Sequence, residues 1–125
     1  YMKKIVFTGK APKAIGPYSQ AVEANGALYI SGQLPVNPET GKMPGTIEEQ
    51  TEQVMKNIGA ILESAGYSYQ NVVKSTCLLS DMANFQKMNE VYGKYYTEEP
   101  PARAAFQVAE LPLKAMIEIE TIAVK

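Results

Sequence analysis

Met116-Ile117-Glu118-Ile119-Glu120-Thr121-Ile122-Ala123-Val124 closes the chain and reads as a β-strand in which isoleucines alternate with carboxylates. Side chains two apart share a strand face, so Glu118 and Glu120 point together, away from Ile117 and Ile119. Residues 71–80, with Val72, Val73, Thr76, Cys77, Leu78 and Leu79, form a second strand rich in β-formers. Both stretches are apolar at both parities, and strands of that kind need cover on both faces.

The rest of the chain supplies cover for one face only. Residues 3–8 read as a short edge strand. Residues 19–24 and 27–32 flank Asn25-Gly26, a strong hairpin signal because both turn positions tolerate positive φ. Leu34 to Gly45, with three prolines and two glycines, is an ordered loop. Thr46 followed by Glu49 is a capping-box pattern. It opens a helix whose apolar positions Ile47, Val54, Ile58, Ile61, Leu62 and Ala65 recur at helical spacing, and Gly66 stops it. A second helix follows Asp81, with Phe85, Met88, Tyr92 and Tyr95 on one stripe, and Glu98-Glu99-Pro100-Pro101 ends it. A short strand around Arg103–Val108 and a Leu111-Pro112 turn lead into the closing strand. The order β-β-β-α-β-α-β-β specifies an α+β domain, a mostly antiparallel sheet with two helices on one face. The uncovered apolar face predicts a second subunit, hence an oligomer.

Composition narrows the chemistry. A chain of 125 residues with 46% hydrophobic residues fits a single domain, residues 1–125, with a genuine core. Twelve Lys and Arg oppose thirteen Asp and Glu, a net charge of −1, which gives no field suited to nucleic acid or an acidic membrane. The chain has no His, and Cys77, Asp81 and Arg103 are each the only residue of their kind. Ser-His-Asp and Cys-His pairs and His-ligated zinc are therefore excluded. One cysteine closes no disulfide within the chain, which fits a reducing compartment. No apolar run reaches the roughly 18 residues of a membrane span, and the N-terminus lacks the apolar core of a signal peptide, so a cytoplasmic location is expected. Tyr1, which precedes Met2, is read as an extraneous remnant and set aside.

Arg103, within Pro100-Pro101-Ala102-Arg103-Ala104-Ala105-Phe106, stands out because every other cation is a lysine. A guanidinium fork binds carboxylate or phosphate bidentately, so Arg103 is either an anchor for a small anion or an ordinary structural cation. Glu118 and Glu120 read either as a water-activating base with its neighbour or as a solvated strand face. Tyr18, after Ile15-Gly16-Pro17, is suited to lid a half-wet pocket or to pack at a turn exit. Ser31-Gly32 ends the second hairpin strand, where the missing Cβ of Gly32 admits either a ligand or a turn. Cys77, with no activating cation in view, is a small buried apolar residue. The tyrosines at 92, 95 and 96 fit core packing better than a base-stacking platform.

Together, Ile15-Gly16-Pro17-Tyr18-Ser19-Gln20, Ile30-Ser31-Gly32-Gln33-Leu34-Pro35, Asn57-Ile58, Ala65-Gly66, Pro101-Ala102-Arg103, Val108-Ala109-Glu110-Leu111-Pro112 and Ile117-Glu118-Ile119-Glu120 carry a resemblance. Over essentially its full length the sequence resembles the Rid (YjgF-like) family, in particular its RidA subgroup. The resemblance implies a chorismate-mutase-like α+β fold and a homotrimer with a central barrel, helices outside and three sites between subunits. It implies hydrolysis of 2-imino acids such as 2-iminobutanoate and 2-iminopropanoate to 2-oxo acids and ammonia, with no metal or organic cofactor.

By the same resemblance Arg103 holds the substrate carboxylate and Glu118 positions and polarises the attacking water. Tyr18 closes over the ligand, Ser31 and Gly32 line it, and Asn89 approaches from the second helix. Ala105 stands where many relatives carry Cys and contacts ligand through its backbone. The competing readings are a non-catalytic sensor of small carboxylates such as 2-oxo acids, an RNA-acting protein, and a chaperone-like protein.

Overall fold

The computed structural model describes residues 2–125, and the reading given for Tyr1 lies outside them. Six strands, β1 (Lys4–Val6), β2 (Ala21–Ala24), β3 (Ala27–Gln33), β4 (Val72–Leu79), β5 (Ala102–Gln107) and β6 (Ile117–Val124), form one sheet in the order β1-β2-β3-β6-β4-β5. The two α-helices are α1 (Ile47–Ser64) and α2 (Phe85–Tyr92). The element order agrees with the sequence reading, and the sheet is antiparallel except where β4 pairs with β5. That parallel edge arises because α2 returns the chain from the end of β4 to the start of β5, a crossover that antiparallel neighbours do not need. No helix among the described residues is long and apolar enough to cross a membrane.

Local chemistry accounts for the boundaries. Asn25 and Gly26 take φ of 52° and 78°, the left-handed pair that matches the twist of a two-residue hairpin. The Thr46 hydroxyl accepts from the Glu49 N–H at 3.2 Å and so starts α1. Gly66, at φ 82°, ends it. The Gly66 N–H donates to the Glu63 carbonyl (3.0 Å) and the Tyr67 N–H to the Leu62 carbonyl (2.8 Å), a paired closure of orphan carbonyls.

The spacing places Tyr95 on the second helix, but α2 stops at Tyr92. Past Gly93 the N–H groups of Lys94, Tyr95 and Tyr96 bond three residues back, and these tighter turns end the α-helix. Tyr95 still serves packing, because its hydroxyl donates to Glu52 Oε2 on α1 at 2.6 Å.

The core lies between the helices and one sheet face. Val54, Met55 and Ile58 of α1 and Met88 of α2 meet Leu28, Cys77, Leu79, Ile117 and Ile119 of the sheet, all fully buried. On the opposite face Ile5, Val22, Tyr29 and Ile122 are register partners in a row across four strands. Ile5 and Tyr29 in that row are 55% and 49% exposed, so the second face is open and partly apolar, as its two-sided patterning predicts.

Buried amides tie the loops to this frame. Asn57 of α1 donates to the carbonyls of Leu34 and Val36, each at 3.0 Å. Gln20 donates to the carbonyls of Pro12 (2.8 Å) and Thr8 (3.1 Å) and accepts from the Thr8 N–H (2.8 Å). Replacing Asn57 by Leu strands two carbonyls at about 1–3 kcal/mol each, so Asn57→Leu is expected to lose about 2–4 kcal/mol of stability. Urea unfolding should show a lower midpoint with an unchanged slope, and an unchanged midpoint would contradict this account.

Candidate active site

Arg103 sits on the edge strand β5, paired in register with Ser75 of β4. Ser75 is fully buried and Ala105, two residues along β5, packs against the core, so Arg103 leaves the sheet on the helix side. There it meets α2. Nη1 donates to Asn89 Oδ1 at 2.7 Å, and the guanidinium carbon lies 5.4 Å from the Phe85 ring centre and 5.0 Å from that of Tyr92. A cavity of about 350 Å³ opens beside it, lined by Asn89, Tyr92, Gly93, Tyr96, Pro100, Pro101 and Arg103. The hydrogen-bond partner is a neutral amide oxygen, which orients the cation without cancelling its charge.

Glu118 belongs to a different place. It lines a crevice of about 410 Å³ with Ile15, Tyr18, Ser31, Gly32, Leu34, Pro112 and Glu120. The carboxylate lies across the backbone of β3 in the space a side chain at position 32 would take: a Cβ on Gly32 would overlap Glu118 Oε2 and come within 2.9 Å of its Cδ, so a larger residue there pushes the carboxylate aside. The neighbouring Ser31 hydroxyl donates to the Ser19 carbonyl at 2.5 Å, which ties β3 to the segment carrying Tyr18. β3 continues through Ser31 and Gly32 to Gln33, with a register shift between Ile30 and Gln33, so this pair lies inside the strand rather than at its end. Tyr18 is 49% exposed and its hydroxyl accepts a long 3.4 Å bond from the Ile15 N–H.

Strand parity treats Glu118 and Glu120 alike, but depth separates them: Glu118 is half-buried and Glu120 exposed. Burial, and then the charge of Glu120, hold the Glu118 carboxyl above the ordinary carboxylate range.

Ala105 stands opposite Cys77 in the β4–β5 register and against the core. The Cys77 thiol is buried and pushed up to about 11, burial outweighing the opposing pull of Arg103, so it is no nucleophile at neutral pH. Phe85 and Tyr92 read from the sequence as core stripe alone. Their contact with Arg103 was foreshadowed only by the spacing 85, 89, 92, which puts Asn89 on the same helix face.

Ala105 lines neither space, and the other candidate residues fall into two groups. Tyr18, Ser31, Gly32 and Glu118 share one crevice; Asn89 and Arg103 share one cavity. Leu78 pairs with both Glu118 and Phe106, and Ser75 with both Thr121 and Arg103, so β4 lies between the two side chains. Two strand spacings separate β5 from β6 by roughly 10 Å, and the side chains leave opposite faces of the sheet.

The family model described as Endoribonuclease L-PSP matches residues 8–125. The chain belongs to this family, the Rid (YjgF-like) proteins of the sequence resemblance. Over 122 residues it is 53% identical to Reactive Intermediate Deaminase A, chloroplastic, of Arabidopsis thaliana, covering 97% of this chain and 65% of that protein. It is 50% identical over 125 residues to the 2-iminobutanoate/2-iminopropanoate deaminase of Mus musculus, covering 99% of this chain and 93% of that one. The crystal structure of E. coli TdcF with bound serine superposes with a TM-score of 0.95 at 39% identity, covering 98% of each chain.

The raised Glu118 carboxyl has a thermodynamic consequence. The folded chain holds this proton more tightly than the unfolded one, so the stabilisation is full below the ordinary carboxylate range and is lost as pH rises through the folded value. Glu118→Gln removes that loss and is expected to melt above wild type near pH 7, with the advantage vanishing by about pH 3. Thermal melts of both proteins at the two pH values check this, and an unchanged difference between them would refute it.

Proposed function

We propose that this chain is a deaminase that hydrolyses small 2-imino acids, 2-iminobutanoate and 2-iminopropanoate, to 2-oxo acids and ammonia. In this reading residues 1–125 act as one Rid-type domain with a chorismate-mutase-like fold, and three copies assemble around a barrel. The observation that carries it is Arg103, the single guanidinium, held at a small cavity by a neutral partner. A fork-shaped cation so placed suits the carboxylate shared by every 2-imino acid. The mouse relative's name supplies the rest of the substrate, and serine in TdcF carries the same carboxylate.

The placement of Arg103 and Glu118 on opposite faces supports an assembled site. A molecule of this size cannot reach both within one chain. The carboxylate cavity of one copy and the Glu118 crevice of another together supply the pair, and joining copies also covers the open row of Ile5, Val22, Tyr29 and Ile122. Net charge −1 and a lone Arg make a poor phosphate-tracking surface, so RNA is not the proposed substrate. The single, buried cysteine fits a reducing compartment such as the cytoplasm.

The chemistry needs orientation more than a strong nucleophile. Arg103 fixes the carboxylate. Glu118, near the imine nitrogen, favours the protonated iminium and accepts a proton as water adds to the carbon, giving a carbinolamine. The proton returns to the nitrogen, the C–N bond breaks with its electrons leaving on ammonia, and the hydroxyl loses its proton to form the 2-oxo acid. The electrophile is the substrate's own iminium, so no cofactor is invoked.

Arg103 is exposed in the single chain and enclosed only in the proposed assembly. There, loss of one partner of a buried charged contact costs about 2–5 kcal/mol, so Arg103→Ala should lower kcat/KM by tens to thousands of fold, at about 1.4 kcal/mol per decade. Arg103→Lys should not restore it, because a point charge lacks the fork. Gly32→Ala, which displaces Glu118, should cost at least about tenfold, as small misplacements of reacting groups do. The assay couples a threonine dehydratase to the protein and follows semicarbazide-trapped imine. Wild-type rates in Arg103→Ala would refute the anchor, and 2-oxo acid binding without loss of imine would mark a sensor instead.

A further inference from the structure

We infer that Phe85, Asn89 and Tyr92 form a positioning cradle that aims Arg103 while leaving its charge available to an anionic ligand. The inference rests on the carboxylate-anchoring role proposed for Arg103. The three residues stand at i, i+4 and i+7 on α2, one face of a helix, and all three meet the guanidinium of the edge strand. Two of them are aromatic, with ring centres 5.4 and 5.0 Å from the cation, and the third is an amide oxygen at 2.7 Å. Aromatic faces and amides hold a guanidinium by quadrupole and dipole, and neither carries a compensating charge. A carboxylate at position 89 would orient the fork equally well and would compete with the ligand for it.

The rings are themselves fixed. Tyr92 is 6% exposed and Phe85 packs against the core. An arginine on an edge strand otherwise loses rotamer freedom when a ligand immobilises it. The cradle removes much of that loss before the ligand arrives, which is preorganisation. The buried Tyr92 hydroxyl closes no hydrogen bond, although Ser75 lies near it, so the ring and not the hydroxyl does the holding.

A carboxylate is gripped alike in ground and transition states, so weakening the cradle should raise KM and leave kcat nearly unchanged. The test compares wild type with Phe85→Leu, Tyr92→Leu, Tyr92→Phe and Asn89→Asp. Calorimetry reads binding of 2-oxobutanoate, imine turnover gives KM and kcat, and a thermal melt confirms folding. Phe85→Leu and Tyr92→Leu should weaken binding and raise KM by roughly threefold to thirtyfold, and Tyr92→Phe should restore both. Phe85→Leu carries the test if Tyr92→Leu does not fold.

Asn89→Asp should fold as wild type and lose about tenfold or more in 2-oxobutanoate affinity. Asn89→Asp binding as tightly as wild type overturns the cradle, as does a fall in kcat at constant KM in Phe85→Leu. Wild-type binding of 2-oxobutanoate without imine turnover overturns the deaminase reading alone, and the variants' affinities then still decide the cradle. A wild-type chain that binds no 2-oxobutanoate overturns both.

Discussion

A β-sheet has two faces, and this protein places its most distinctive cation on one and its most perturbed carboxylate on the other. Arg103 follows Ser75 and Ala105 toward the helices, while Glu118 follows the parity opposite to Ile117 and Ile119. No side-chain rotation exchanges those faces, because alternation is built into the extended backbone. The helices bury one face, and the other remains open with an apolar row across four strands. Assembly and chemistry are therefore one problem in the proposed mechanism. The surface that needs covering carries Glu118, and the copy that covers it would bring the missing guanidinium.

The two halves are held by different means. Aromatic faces and an amide hold the guanidinium without bringing a compensating charge, and lysine would offer neither the plane nor the fork for such a seat. The Glu118 carboxyl is partly desolvated and repelled by Glu120, which biases it toward the proton-bearing form. A proton relay for imine hydrolysis needs a group able both to take and to return a proton, whereas the anchor needs a charge that never changes. In the proposed mechanism Arg103 and the half-buried Glu118 answer those separate demands.

Tolerances around Glu118 are set by small residues and by amides. Gly32 lets the carboxylate lie across β3, and Gln20 and Asn57 hold the loops on either side through their own hydrogen bonds. Each amide satisfies backbone carbonyls that no strand or helix reaches, which allows an irregular loop to sit rigidly beside a site.

Much of this was legible in the chain itself. Asn25-Gly26, Thr46 with Glu49, and Gly66 act within a few residues, so local sterics and capping placed the hairpin and α1 without tertiary help. Alternation placed β6, a run of β-formers placed β4, and a lone Arg among lysines singled out the proposed anchor. The end of α2 was misplaced because Tyr95 keeps the apolar spacing after the backbone has tightened into turns. The parallel β4–β5 pair was not read, since pairing direction depends on where a crossover returns the chain. Parity could not choose between Glu118 and Glu120, whose difference is depth in the fold. Nor could it show that Phe85 and Tyr92 face a cation. What the sequence determined by itself was therefore whatever neighbouring residues dictate: turns, caps, strand faces and the identity of rare charged groups. The tertiary structure alone decided which face each charge occupies relative to the other, because that follows from strand order and register, which join residues far apart in the chain.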